Sequence, residues 1–225
     1  MQDFREGKKI GLLGGTFDPV HNGHLAVAAH VLKALALDAV WFIPASVPPH
    51  KSGHDDGRQI TAFSHRIAML QRAVQPSPLY VVSDLEAKRS APSYSIDTIR
   101  ILRKQIGSKT DLYFIIGVDA FLEIDTWKRF QELPGLANFV VLSRPGYPPE
   151  KAEELISREF PGYLHGPTRE TWSCASSGKA FILLHMEPVP VSSTAIRRRV
   201  KNGEAIDELV PETVADYIRE QGLYV

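Results

Sequence analysis

Gly14-Gly15-Thr16-Phe17-Asp18-Pro19-Val20-His21-Asn22-Gly23-His24-Leu25 sets the architecture expected for the rest of the chain. It follows an apolar run, Ile10 to Leu13. It precedes a segment in which Leu25, Ala28, Ala29, Leu32 and Leu35 recur at helical spacing, so the whole reads as strand, glycine turn, helix. Gly14 and Gly15 predict a sharp turn and a close backbone approach to a ligand. Asn22 is the expected N-cap of a helix whose free N–H groups and dipole favour an anion. With a helix starting near Asn22, His21 and His24 flank its N-terminus, where either imidazole can donate to phosphate oxygens.

Beyond this stretch, apolar runs alternate with amphipathic segments. Strands are expected at Ala39 to Pro44, Leu79 to Val82, Leu112 to Gly117, Asn138 to Leu142 and Ala180 to His185. Helices are expected from about Thr61 (with Phe63, Ile67, Leu70 and Val74 on one face), after a cap at Ser93 or Ser95, from Pro148 or Pro149, and from about Pro211. This alternation predicts a Rossmann-like α/β fold: a doubly wound, mostly parallel sheet with helices on both faces. The expected organisation is a single domain over 1–225, with an insertion or long loop at 161–178 and a helical segment at 192–225. A stretch from Ala45 to Ile60, stiff with prolines at its start and loose with glycines at its end, is expected to order over a bound substrate.

Composition removes several function classes. Lys plus Arg (26) equal Asp plus Glu (26), so no basic field points to nucleic acid, and phosphate recognition must be local. Cys174 is the single cysteine, which excludes an internal disulfide framework and a multi-cysteine zinc site and suits a reducing cytoplasm. No apolar run is long enough to span a bilayer. The motifs G-x-S-x-G, G-x-x-x-x-G-K-[ST] and G-x-G-x-x-G are missing, which argues against a serine hydrolase, a P-loop ATPase and a dinucleotide-binding fingerprint.

Six specified residues in G-x-F-x-P-x-H-x-G-H are expected by chance on the order of once in a million sequences of this length. The His21-Asn22-Gly23-His24 pair resembles the signature of the nucleotidylyltransferase superfamily. Near the other end, Ser192-Ser193-Thr194-Ala195-Ile196-Arg197 resembles the S-S-T-x-I-R element that binds ATP phosphates in the adenylyltransferases of NAD synthesis. Between them, Pro44 with Pro48-Pro49-His50-Lys51, Pro92-Ser93-Tyr94-Ser95 with Asp97-Thr98, Ile116-Gly117-Val118-Asp119 with Trp127, and Ser143-Arg144-Pro145 stand in the order found in bacterial nicotinate-nucleotide adenylyltransferases. Ser95 stands where that family usually has Thr, and Ala91 where it often has Gly.

The resemblance implies an enzyme that joins AMP from ATP to nicotinate mononucleotide, releasing pyrophosphate. It implies catalysis by His21, His24 and Arg197. ATP would be held by Gly14, Gly15, Thr16, Phe17, His21, His24, Arg144, Ser193, Thr194 and Arg197. The mononucleotide would be held by Lys51, Tyr94, Ser95, Asp119 and Trp127, with Tyr94, Ser95 and Trp127 around the pyridine ring and its carboxylate. Asp119 has a plainer alternative as a helix N-cap, and Trp127 as a core anchor. Mg²⁺ is expected to arrive with ATP, because no carboxylate cluster offers a dedicated cage. A preference for nicotinamide mononucleotide, a phosphopantetheine substrate and a non-catalytic nucleotide sensor are the rival readings, and self-association stays open.

Overall fold

The computed structural model describes residues 7–48, 60–89, 92–143, 146–166, 168 and 170–225. One eight-stranded sheet organises them, in the order β3-β2-β1-β4-β5-β8-β7-β6. Its parallel part comprises β1 (Lys9–Gly15), β2 (Ala39–Pro44), β3 (Tyr80–Val82), β4 (Asp111–Gly117), β5 (Asn138–Leu142) and β8 (Lys179–Leu184). The mostly parallel sheet expected from sequence is therefore present. Strands β6 (Leu164–His165) and β7 (Thr171–Cys174) run antiparallel beside β8.

The parallel strands are apolar on both faces because helices cover both. On β4, Leu112, Phe114 and Ile116 enter one core while Ile115 enters the other; on β5, Phe139 and Val141 alternate with Val140 and Leu142 in the same way. The first core is closed by α3 (Ser95–Ile106), α4 (Val118–Phe121), α5 (Leu133–Leu136) and α6 (Pro149–Glu159). The second is closed by α1 (Asn22–Ala34), α2 (Phe63–Val74), α7 (Ser193–Lys201) and α8 (Glu212–Glu220).

Local expectations are corrected at several points. Gly14 and Gly15 do not form the turn; they are the last residues of β1, and the left-handed conformation falls on Phe17, with φ 51°. The N-cap of α1 is His21, not Asn22, whose side chain instead donates to the Glu208 carbonyl. Tyr94, not Ser93 or Ser95, caps α3, with extended backbone. The buried face of α2 is Arg66, Met69, Leu70, Ala73 and Val74, so Phe63 and Ile67 lie at its margin. The segment 161–178 contains β6 and β7, and Trp172 of β7, 1% exposed, enters the first core beside Phe181. The loop over 45–60 lies largely outside the described residues.

Candidate active site

In an open parallel sheet the chain leaves neighbouring strands on opposite faces where the strand order reverses, and a crevice opens at their C-terminal ends. Here the reversal falls between β1 and β4. A cleft of about 630 Å³ sits there, lined by Gly14 and Gly15 from the end of β1 and Ile116 and Gly117 from the end of β4. It reaches from α1 and α7 on one face of the sheet to α3 on the other. From the first side come Thr16, His21, His24 and Ser193; from the second come Tyr94, Ser95, Trp127 and Lys128.

The two histidines are built into the start of α1. The backbone N–H of His21 donates to His24 Nδ1 at 3.2 Å, so in the neutral ring the proton sits on Nε2, which is then a donor. The His21 and His24 rings stack at 3.7 Å and 25°, and the Phe17 ring meets His24 edge-on at 4.9 Å. His24 is thus held between two rings, and both flanking rings are buried. Burial lowers the His21 pKa to about 4, against a smaller opposing backbone hydrogen bond, so His21 is neutral at neutral pH. Gly23 is required by the same packing. A Cβ there would lie 2.9 Å from Val191 Cγ1 and 3.0 Å from His21 Nδ1.

Helix α7 is joined to this element although it lies far along the chain. Ser192 caps α7 by accepting from the Ala195 N–H at 3.1 Å, and the Ser193 hydroxyl donates to the Pro19 carbonyl at 2.9 Å. Arg197 Nη1 donates to the Asp18 carbonyl at 2.8 Å, and Nη2 to Thr194 Oγ1 at 3.2 Å. Two helix N-termini, each a positive dipole end, therefore meet at the 16–19 loop. That arrangement suits several negatively charged phosphates in a row.

On the α3 side, Tyr94 and Trp127 pack against the first core, and Trp127 stands edge-on to Phe114 at 6.1 Å. Lys128 Nζ lies 4.6 Å over the Tyr94 ring and 3.0 Å from Asp97 Oδ2, which Arg89 also reaches at 3.2 Å. Burial tends to raise the Asp97 carboxyl, but the hydrogen bonds and charges of Lys128 and Arg89 outweigh it and hold the carboxyl below its usual range.

The cleft brings together Gly14, Gly15, Thr16, His21, His24, Ser193, Tyr94, Ser95 and Trp127. Phe17, Thr194, Arg197 and Asp119 stand outside its lining. Phe17 is a core ring, Thr194 and Arg197 brace α7 against the loop, and Asp119 is in the first turn of α4 just after Gly117. Lys51 and Arg144 lie outside the described residues. Sequence reasoning missed Glu86 and Lys128, which line the cleft, and the buried Arg66 beneath it. Lys128 directly follows Trp127, and Arg66 sits at core spacing with Met69, Leu70 and Ala73, so both left a readable signal. Glu86, in a short aperiodic stretch, left none; it accepts the Thr98 hydroxyl.

Among the described residues, no group of three or more His, Cys, Asp or Glu could hold a metal ion, and no helix is long and apolar enough to cross a membrane.

Comparison with known proteins matches residues 12–199 to the cytidylyltransferase-like family. A probable nicotinate-nucleotide adenylyltransferase of Desulfitobacterium hafniense is 41% identical over 220 residues, covering 96% of each chain. The nicotinate-nucleotide adenylyltransferase of Bacillus subtilis is 37% identical, covering 96% of this chain and 98% of that protein. Among solved structures, the Plasmodium falciparum nicotinic acid mononucleotide adenylyltransferase complexed with NaAD shares the fold, with TM-score 0.70 at 19% identity over 96% of this chain and 97% of that one.

Proposed function

From the premise that this chain belongs to the nicotinate-nucleotide adenylyltransferases, within the cytidylyltransferase-like family, we propose that its cleft transfers AMP from ATP to nicotinate mononucleotide. The products are nicotinate adenine dinucleotide and pyrophosphate. The observation that carries this reading is the single cleft that joins two helix N-termini, with His21 and His24 between them, to an aromatic and hydroxyl-bearing end at Tyr94, Ser95 and Trp127.

The acceptor phosphate is the nucleophile and attacks the α-phosphorus of ATP as pyrophosphate leaves in line. A phosphate monoester has a second pKa of about 6, so near neutral pH it is already ionised and no protein base has to remove a proton. The protein aligns the reactants and stabilises charge that builds on the transferring phosphoryl and the leaving group. His24 Nε2–H is a fixed donor for that charge. Neutral His21 stacks on the His24 ring and sets its plane. The backbone N–H groups of Gly23 in α1 and of Ser193 and Thr194 in α7 complete the donor set, while the Ser193 hydroxyl, donating to the Pro19 carbonyl, ties α7 to the loop. Thr194 and Arg197 keep α7 against the 16–19 loop so that the two sets face one ligand. Mg²⁺ enters as part of the MgATP substrate and offsets phosphate charge.

At the other end, the electron-poor pyridinium ring stacks on Trp127, and the backbone and hydroxyl of Ser95 with the Tyr94 segment hold its carboxylate. We assign Asp119, in the first turn of α4, the role of accepting a ribose hydroxyl. We place the reaction in the cytoplasm, where ATP and mononucleotide are both available. Pyrophosphate release from MgATP tests the reading, with nicotinate mononucleotide, nicotinamide mononucleotide and phosphopantetheine offered separately at equal concentration. Strong preference for the first is expected. Preference for the amide would refute the carboxylate subsite, and preference for phosphopantetheine would refute the acceptor class.

A further inference from the structure

Arg66 is 1% exposed, an unusual position for a guanidinium, and its hydrogen bonds run to backbone carbonyls rather than to a carboxylate. Its Nε donates to the Thr61 carbonyl at 2.8 Å. Its Nη1 donates to the Thr16 and Ala45 carbonyls, both at 2.8 Å, and Nη2 to the Ser46 carbonyl at 3.3 Å. These carbonyls belong to separate parts of the chain: the loop after β1, the exit of β2 and the entry to α2. Thr16 and Ala45 both line the cleft.

The contacts continue on each side. On the ATP side, the loop holding Thr16 also holds Asp18, 4% exposed, whose Oδ2 accepts from the Thr61 N–H at 3.3 Å and whose Oδ1 accepts from the Tyr224 hydroxyl at 2.7 Å. On the acceptor side, the N–H groups of Ser46 and Val47 donate to Ser93 Oγ at 3.0 and 3.3 Å, and the Ser93 N–H donates back to the Val47 carbonyl. Ser93 is followed by Tyr94 and Ser95 in the cleft wall.

We propose that Arg66 is a positioning residue that fixes the spacing between the two halves of the cleft, so that acceptor phosphate and α-phosphorus meet at reacting distance; this rests on the functional reading above. The physical reason is that converging carbonyl oxygens repel one another unless a cation with several donors sits among them. The planar guanidinium fork supplies separated, directed donors. A lysine ammonium concentrates its donors at one point and cannot span the same set. Without Arg66 each half-site keeps its own side chains and still binds its substrate, but the register between them relaxes. An in-line reaction is sensitive to that, since a misplacement of about 1 Å costs on the order of 100-fold in rate.

The test compares wild type with Arg66→Lys and Arg66→Ala in steady-state turnover, with ATP-binding stoichiometry by equilibrium dialysis to count competent sites. For Arg66→Lys, kcat per ATP-binding site is expected to fall about 10- to 100-fold with each KM within about threefold of wild type. Guanidinium chloride at low millimolar concentration is expected to raise kcat of Arg66→Ala at least several-fold, leaving wild type unchanged, while methylammonium does nothing. A kcat per site equal to wild type in Arg66→Lys overturns the proposal, because a purely structural role lowers the number of competent sites and not their rate. If neither Arg66 variant binds ATP, Ser93→Ala cuts the same line of contacts further along: a kcat loss at unchanged ATP KM supports the proposal, and a normal kcat overturns it. Wild-type turnover separates the two readings, since an inactive wild type refutes the reaction, whereas an active wild type matched by Arg66→Lys refutes only the role of Arg66.

Discussion

His24 Nδ1 accepts the His21 N–H, which puts the proton of the neutral ring on Nε2. The ring is fixed against Phe17 and His21, so that donor points the same way in every molecule and would lose little freedom as charge developed on a phosphoryl group beside it. Replacing His24 with Ala is expected to lower kcat by about 100- to 1000-fold, the range seen for removing one preorganised donor, while the circular dichroism spectrum stays unchanged. A turnover within threefold of wild type would remove His24 from the chemistry. His21 carries a second expectation, in stability. Its folded-state pKa is about 4 against 6.5 unfolded, so the unfolded chain takes up the proton first as pH falls. Its contribution is intact above pH 6.5, declines between 6.5 and 4, and levels off below 4, with a total loss of at most about 3 kcal/mol. Urea unfolding of wild type and His21→Gln across that window should show a difference that narrows steadily toward pH 4; a constant difference would mean that His21 titrates normally.

At the scale of elements, the start of α1 is the part that does most with fewest residues. Gly23 leaves room for the His21 ring and Val191, so α1 can dock against the segment that leads into α7. Helix propensity alone favours Ala over Gly by nearly 1 kcal/mol, yet Gly23→Ala is expected to lower kcat on the order of tenfold by displacing the His21–His24 stack a few tenths of an ångström. Unchanged kcat would show that the stack tolerates the shift. The elements also explain which features could be read in advance. Strands β1, β4 and β5 were legible because continuous apolar runs bounded by Gly or Pro mark strands buried on both faces. The motif His21 to His24 and the Ser192 cap were legible because their spacing carries their chemistry. What escaped depends on contacts between distant segments. Asn22 looks like a cap, but a tertiary bond to the Glu208 carbonyl takes its side chain and leaves His21 in the cap position. Trp172 and Cys174 lie among Gly, Ser and Thr, and only pairing with β8 turns that segment into strands. Arg66 stands at core spacing in α2, but what a guanidinium does there is readable only once the carbonyls around it are known.

For the molecule as a whole, sheet topology gathers the chemistry. The reversal of strand order between β1 and β4 opens the crevice, and the two cores fix the walls on either side of it. Residues from the N-terminal motif, the middle of the chain and α7 reach the same cleft because each follows the C-terminal end of a neighbouring parallel strand. The antiparallel addition, β6 and β7, lies at the far edge and sends no residue into the cleft lining. It stabilises the fold through Trp172 and leaves the reaction to the parallel part. The assigned reaction joins two nucleotides in this cleft, where mere binding or hydrolysis would not. Incubating wild-type protein with MgATP labelled at the α-phosphate and nicotinate mononucleotide, and identifying the labelled product by mass, separates these outcomes. Nicotinate adenine dinucleotide carrying the label is expected, formed one for one with pyrophosphate; labelled AMP without dinucleotide, or ATP bound but unconsumed, would overturn the assignment.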